Sequence, residues 1–311
     1  MSIQHISVIG AGAVGALYAF RIQEALGAGS VRLIADRTRK ERYDKAGFYL
    51  NDTHVWFPIV TPQEQVEPAD LIIMATKNMQ LEEAIVSISR HVGPNTMILS
   101  LLNGIESEYR IAEVYGEEHV LWGFVTRLNS VHEGNRITFV EDGIIIFGEK
   151  DNTRTPRIEM LEALFEQAGI ACKIPQDIHH EMWWKFMLNT GYNTLSAVCR
   201  ATYGDCNTIP SFKVCVAMVF DEVVKVASAE QVHFTQEDID RIYATLAPLG
   251  AEGKTSMLQD MEAGRQTENN WFCGTVSRLG RKHGIPTPIN DFLGNLTEAS
   301  ETVQIRRRQG K

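Results

Sequence analysis

An α/β architecture, a doubly wound sheet domain followed by an all-α domain, is predicted by three observations. A G-x-G-x-x-G run stands between a β-prone segment and a helical pattern within the first twenty residues. Strand-like and helix-like segments then alternate to about residue 175, and from Asp177 onward only helical patterns follow. Runs of βα units ahead of a run of helices imply two packed domains, here 1–175 and 176–311 with the linker near Pro175. The length agrees, because 311 residues exceed the usual reach of one core.

The first strand and helix occupy His5 to Phe20, with Gly10-Ala11-Gly12-Ala13-Val14-Gly15 between them. Gly10 permits a tight turn, Gly12 lets the backbone approach a pyrophosphate, and Gly15 allows helix and strand to pack closely. The first amides of the helix then face the anion. The order strand, fingerprint, helix separates a Rossmann-type dinucleotide site from a merely glycine-rich turn. Val31 to Ala35 supplies the second strand. Asp70 to Thr76 and Thr96 to Leu102 are near-continuous apolar runs, as expected of strands covered on both faces. Each ends in polar residues, Lys77-Asn78 and Asn103-Gly104, at the carboxyl edge where open α/β sheets bind ligands. Further strands are expected at Val120 to Thr126, Arg136 to Val140, Ile144 to Gly148 and Ile170 to Lys173, with a helix at Pro156 to Gln167. Helices follow at about 177–200, 210–230, 235–246, 252–263, 267–284 and 290–306. Gly284 suits a helix C-cap, with Pro286 and Pro288 beyond it.

A net charge of −9 and a pI near 5.5 argue against nucleic acid or an anionic membrane as partner. Arg306-Arg307-Arg308 suits the end of a last helix, where cations complement the dipole. The five cysteines, Cys172, Cys199, Cys206, Cys215 and Cys273, are odd in number and lack C-x-x-C spacing, so neither zinc nor a disulfide framework is indicated. Reduced thiols in a cytoplasmic protein are the simpler reading. Glycines break the apolar N-terminal run and Arg21 closes it, so neither a signal peptide nor a membrane span is expected. His179-His180-Glu181 is not taken as a metal site, since adjacent helical residues point about 100° apart. No heptad pattern marks an oligomer interface, although one helical face of the second domain suits a homodimer.

Lys185, Asn189 and Asn193 stand four residues apart in an apolar stretch that, Gly191 aside, has helical character. Four residues turn an α-helix by about 400°, so these side chains would stack about 6 Å apart as one polar stripe. A lysine with two carboxamides suits a small carbonyl substrate, offering a proton donor and orienting hydrogen bonds without a competing nucleophile. The bland alternative is a solvated helix face. With the glycine loop at one end of the chain and this stripe further on, the active site is expected in the cleft between the two domains.

Gly10 to Gly15, Lys77, Leu102-Asn103-Gly104, the Lys185/Asn189/Asn193 series, Ser256-Met257-Leu258-Gln259-Asp260, Thr267-Glu268 and His283-Gly284-Ile285-Pro286-Thr287-Pro288 together resemble the ketopantoate reductases (2-dehydropantoate 2-reductases) over nearly the whole chain. The resemblance implies an NAD(P)-dependent oxidoreductase that reduces the 2-keto group of ketopantoate to (R)-pantoate in pantothenate biosynthesis. It implies Lys185 as proton donor to the ketone oxygen, and Asn189, Asn193 and Ser256 as holders of the carboxylate and hydroxyl ends. Glu268 would engage the lysine or the substrate. Asn103 would touch both nicotinamide and substrate, and Lys77 with Gln80 would lie along the cofactor. Hydride delivered to a 2-keto carbon leaves charge on oxygen, which an ammonium in reach can stabilise and then protonate. Burial lowers the lysine pKa and a neighbouring Glu268 carboxylate raises it; the sequence does not weigh the two. For isolated residues, a helix surface charge would be the bland reading of Glu268 and an N-terminal cap that of Ser256.

The departure from the family pattern is Leu33-Ile34-Ala35-Asp36-Arg37-Thr38-Arg39-Lys40. Relatives using NADPH commonly carry arginine where Asp36 stands, because a 2′-phosphate needs a cation, whereas an acid there holds the 2′-hydroxyl of NAD. Arg37, Arg39 or Lys40 can still supply that charge, and resemblance favours NADP, with NAD as the alternative. Two other functional readings stay open at this point. One is an NAD-dependent D-2-hydroxyacid dehydrogenase acting on a branched or aromatic 2-keto acid; the other is a non-catalytic dinucleotide sensor, which would need the glycine loop but not the lysine stripe.

Overall fold

The computed structural model describes residues 3–309, and the chain divides into two compact units, Met1–Ile178 and His179–Lys311. The first unit contains β1 (Ile6–Ile9), α1 (Ala13–Leu26), β2 (Val31–Ile34), α2 (Arg37–Ala46), β3 (Phe48–Leu50), β4 (Thr53–Val55), β5 (Ile59–Val60) and β6 (Leu71–Met74). There follow α3 (Leu81–Ser87), β7 (Met97–Ser100), α4 (Ser107–Tyr115), β8 (Val120–Glu133), β9 (Arg136–Gly148), α5 (Pro156–Gln167) and β10 (Cys172–Lys173).

The sheet runs β4-β3-β9-β8-β7-β6-β1-β2-β5, with β10 added to β9. From β5 through β8 every pairing is parallel. β1 lies between β2 and β6, with Ile9 in register with Ile34 on one side and Met74 on the other. Strand order therefore reverses at β1, the switch point that leaves a crevice beyond the carboxyl ends of β1 and β6. β1, β6 and β7 are buried along their whole length, which is why they appear in sequence as unbroken apolar runs.

Two expectations change here. The separate strands at 136–140 and 144–148 form one strand, β9, paired antiparallel with a β8 that extends to Glu133. Glu141-Asp142-Gly143 has turn composition, yet the ladder continues through it. Arg127 and Gly143, both at positive φ, sit at matching places on the two strands, and a bulge follows at Asn129/Ser130. Asp142 is held by α1, accepting from Arg21 Nε at 2.7 Å while its carbonyl accepts from Tyr18 Oη at 2.9 Å. The strand expected over 170–173 shortens to Cys172–Lys173, because the Ile170 amide bonds the Phe165 carbonyl at the end of α5.

The second unit consists of α6 (Ile178–Leu188), a five-residue π turn (Asn189–Asn193), α7 (Thr194–Cys199), α8 (Tyr203–Thr208), α9 (Pro210–Ala229), α10 (Gln236–Leu246), α11 (Ser256–Glu262), α12 (Cys273–His283) and α13 (Pro288–Gln309). The single helix expected over 177–200 is thus interrupted. Two others start late. The segment before α11 folds back, its Gly253 and Ala251 carbonyls accepting from Tyr203 and Gly204, and Thr255 then caps the helix. Before α12, residues 265–268 are irregular and Asn269–Trp271 form a short 3-10 turn. α13 starts at Pro288, and its next two amides, of Ile289 and Asn290, donate to the buried Glu222 carboxylate of α9 at 2.8 and 2.9 Å. A carboxylate there satisfies donors that a helix start leaves open.

Candidate active site

In the first unit the glycine loop is shaped by close approach. Gly10 has φ +97°, and a Cβ there would stand 2.5 Å from the Ala75 carbonyl carbon. One on Gly15 would stand 2.1 Å from the Gly10 oxygen. At Gly12, the N-cap of α1, a Cβ would meet nothing within 4 Å. The loop is closed toward the sheet and open at the helix N-terminus, where Ala13 and Val14 begin the first turn. Thr76 Oγ1, just past β6 and close to Gly10, is buried without a hydrogen-bond partner among the described residues. Open space in front of unpaired helix amides, with an unsatisfied hydroxyl beside it, fits a dinucleotide.

Asp36 is the N-cap of α2: its Oδ1 accepts from the Arg39 amide at 2.8 Å, and Arg39 Nη1 lies 3.4 Å from Oδ2. Asp36 therefore has a local structural role as well as its place at the end of β2. Arg37 is 90% exposed, 3.4 Å from Glu41. Lys77 precedes the 3-10 turn Asn78–Gln80, and the Gln80 amide donates to the Lys77 carbonyl at 2.9 Å. The buried Asn78 donates from Nδ2 to the Asn103 carbonyl at 2.8 Å, tying the ends of β6 and β7 together. Asn78 was visible in sequence only as a polar residue after a strand; its partner lies twenty-five residues on.

In the second unit Lys185 lies half-buried near the end of α6. Burial pulls its pKa down to about 8, and the Glu268 carboxylate opposes that shift. Of the two influences, desolvation is the larger. Glu268 is not a helix surface charge; it is buried, at the end of the irregular stretch before Asn269. The expected α-helical stripe is corrected too. Asn189 through Asn193 form a π turn, whose i→i+5 bonding abandons the four-residue stacking. The two asparagines still meet: Asn193 Nδ2 donates to Asn189 Oδ1 at 3.1 Å, and both are buried. Gly191 allows this, because a Cβ there would lie 2.5 Å from the Phe220 ring of α9. Ser256 is exposed in the first turn of α11, and the cap is Thr255, whose Oγ1 accepts from the Leu258 amide at 3.2 Å. Thr255 also donates to Ser196 Oγ at 3.1 Å. Among the described residues no cluster of three or more His, Cys, Asp or Glu could hold a metal, and no helix is long and apolar enough to cross a membrane.

Two models of one family match the chain: the ketopantoate reductase PanE/ApbA model over residues 6–152 and the C-terminal PanE/ApbA model over 177–301. A 2-dehydropantoate 2-reductase of Aquifex aeolicus is 27% identical over 308 residues, covering 96% of this chain and 97% of the relative. A ternary structure of D-mandelate dehydrogenase with NADH and anilino(oxo)acetate superimposes with a TM-score of 0.88 at 26% identity, over 96% of this chain and 99% of that one. A 2-dehydropantoate 2-reductase structure from Geobacter metallireducens gives a TM-score of 0.85 at 26% identity, over 95% and 99%. With both of its units matched, the chain belongs to the ketopantoate reductase family.

Proposed function

We propose that this protein is a 2-dehydropantoate 2-reductase that uses NADPH and gives (R)-pantoate, with Lys185 as its general acid. The setting of Lys185 carries the reading. An amine with a pKa of about 8 is mostly protonated at neutral pH and gives up its proton more readily than a free lysine. A reduced nicotinamide, when bound, would supply hydride to the 2-keto carbon and so leave negative charge on the ketone oxygen. Lys185 Nζ stabilises that charge and delivers its proton there. Glu268 keeps the amine more basic than burial alone would leave it. Asn189 Oδ1 accepts from Asn193, and a carboxamide NH₂ is a donor of the kind that suits a substrate carboxylate. Ser256 adds a hydroxyl. On the cofactor side, Gly10 to Gly15, Lys77, Gln80 and Asn103 take the roles that family membership suggests.

NADPH follows from the resemblance, with the exposed Arg37 as the cation for a 2′-phosphate. NADH is the second reading. It is favoured by Asp36 at the end of β2 and by the NADH complex of the D-mandelate dehydrogenase neighbour. The test is a panel of 2-keto acids assayed in parallel against both reduced cofactors. 2-Dehydropantoate with NADPH should show the highest kcat/KM; another keto acid favoured tenfold or more would overturn the substrate, and a lower KM for NADH would overturn the cofactor.

A further inference from the structure

Glu268 sits in a stretch with no regular backbone ladder, so something else must fix its carboxylate. α13 holds the segment around it at two points. Glu301 Oε2 accepts both the Thr267 amide, at 2.9 Å, and the Thr267 hydroxyl, at 2.7 Å. About two turns earlier on α13, the Gly294 carbonyl accepts from Asn269 Nδ2 at 2.8 Å. The residues on both sides of Glu268 are therefore clamped to one helix. Thr267 Oγ1 also accepts from the Asn269 amide at 3.4 Å, and the Trp271 amide donates to the Glu268 carbonyl at 2.9 Å, closing a compact turn. Hydrogen bonds to a carboxylate are the stronger kind, and two on one oxygen fix both the backbone and the side chain of Thr267. Thr267 is buried, so its donors have no water to fall back on if the acceptor is lost.

We propose that Glu301, acting through Thr267, is a positioning residue that holds the Glu268 carboxylate where it acts on the Lys185 amine. Other charged groups on α6 and α11 have partners of their own. On α6, Glu181 pairs with Arg241 at 2.7 Å and His180 lies 3.4 Å from Asp238; on α11, Asp260 pairs with Arg265 at 2.8 Å. Glu268 is the charge that opposes the desolvation of Lys185. Losing its anchor lets Glu268 drift and leaves burial less opposed.

The inference depends on the proposed catalytic role of Lys185 only for its effect on turnover, so the primary readout is the titration of the Lys185 ε-carbon by NMR in the full-length protein. Glu301→Ala and Thr267→Val should each move that titration down by about half a unit to one unit, while Glu301→Gln, which keeps an acceptor, should restore most of it. In a Glu268→Gln background the same changes should do nothing further, as expected of residues acting through one path. The alkaline limb of kcat against pH should move with the titration. An unchanged Lys185 titration in Glu301→Ala or Thr267→Val, whatever happens to Tm, overturns the proposal. If the titration shifts while kcat does not respond to it, the positioning stands and the general-acid reading falls.

Discussion

Lys185 costs the fold something at the pH where it is useful. Its pKa is about 8 in the folded chain against 10.5 for an unperturbed lysine, so between these values the unfolded state binds more protons. Stability attributable to this group therefore rises as pH climbs from 8 to 10.5, and below 8 the buried charge is a standing penalty. Lys185→Met should raise Tm at pH 7 and flatten the gain seen on the alkaline side. It should also lower kcat by at least about two orders of magnitude with cofactor affinity nearly unchanged; full turnover in the variant would remove the acid assignment. Glu108 presents the opposite sign. It is fully buried in the first turn of α4, and burial raises its pKa to about 7, only partly offset by its own backbone amide and the Ser107 and Ser100 hydroxyls. The folded state here binds more protons between 4.5 and 7, so stability present at pH 4.5 is lost as pH rises through 7. Glu108→Gln should match the wild type near pH 4.5 and exceed it by on the order of 3 kcal/mol above pH 8. Denaturant titrations at the two pH values check this; a constant difference would mean that the carboxyl's charge does not matter.

At the scale of elements, the sequence disclosed most where one period dominated. The buried parallel strands and the helix at Pro156–Gln167 were legible because their apolar patterns had a single explanation. The π turn was not, since Lys185, Asn189 and Asn193 have the spacing of an ordinary α-helix and only Gly191 marks the site. What decides there is tertiary: Phe220 of α9 presses where a Cβ would be. Gly191→Ala should therefore destabilise by about 1–3 kcal/mol and lower kcat, and Phe220→Leu in that background should recover part of the loss. An unaltered Tm for Gly191→Ala would mean the contact is not tight. The cap of α11 was not legible for a related reason. Thr255 and Ser256 are both good cap residues, and one position of slippage decides which hydroxyl is consumed by the helix and which is left exposed. Asp36 shows the same ambiguity from the other direction, capping α2 while standing where a ribose contact is expected.

Over the whole molecule, the candidate residues separate by unit: Gly10 through Asn103 lie in the first, Lys185 through Glu268 in the second. In sequence, the change from βα units to helices falls near residue 175, and it rests on long-range composition and not on any single contact. Pairings across long stretches of chain were illegible: Glu222 beneath the start of α13, or Glu301 beneath Thr267, thirty-four residues away. No local pattern distinguishes these acids from solvated ones. The clamp on Thr267 also has a genetic reading. In the chain, Glu301 comes after every candidate site residue, the nearest of which is Glu268. On the proposal above, a premature stop between the two would spare every candidate site residue and still disturb Glu268, because α13 contributes the brace for an acid that precedes it in the chain.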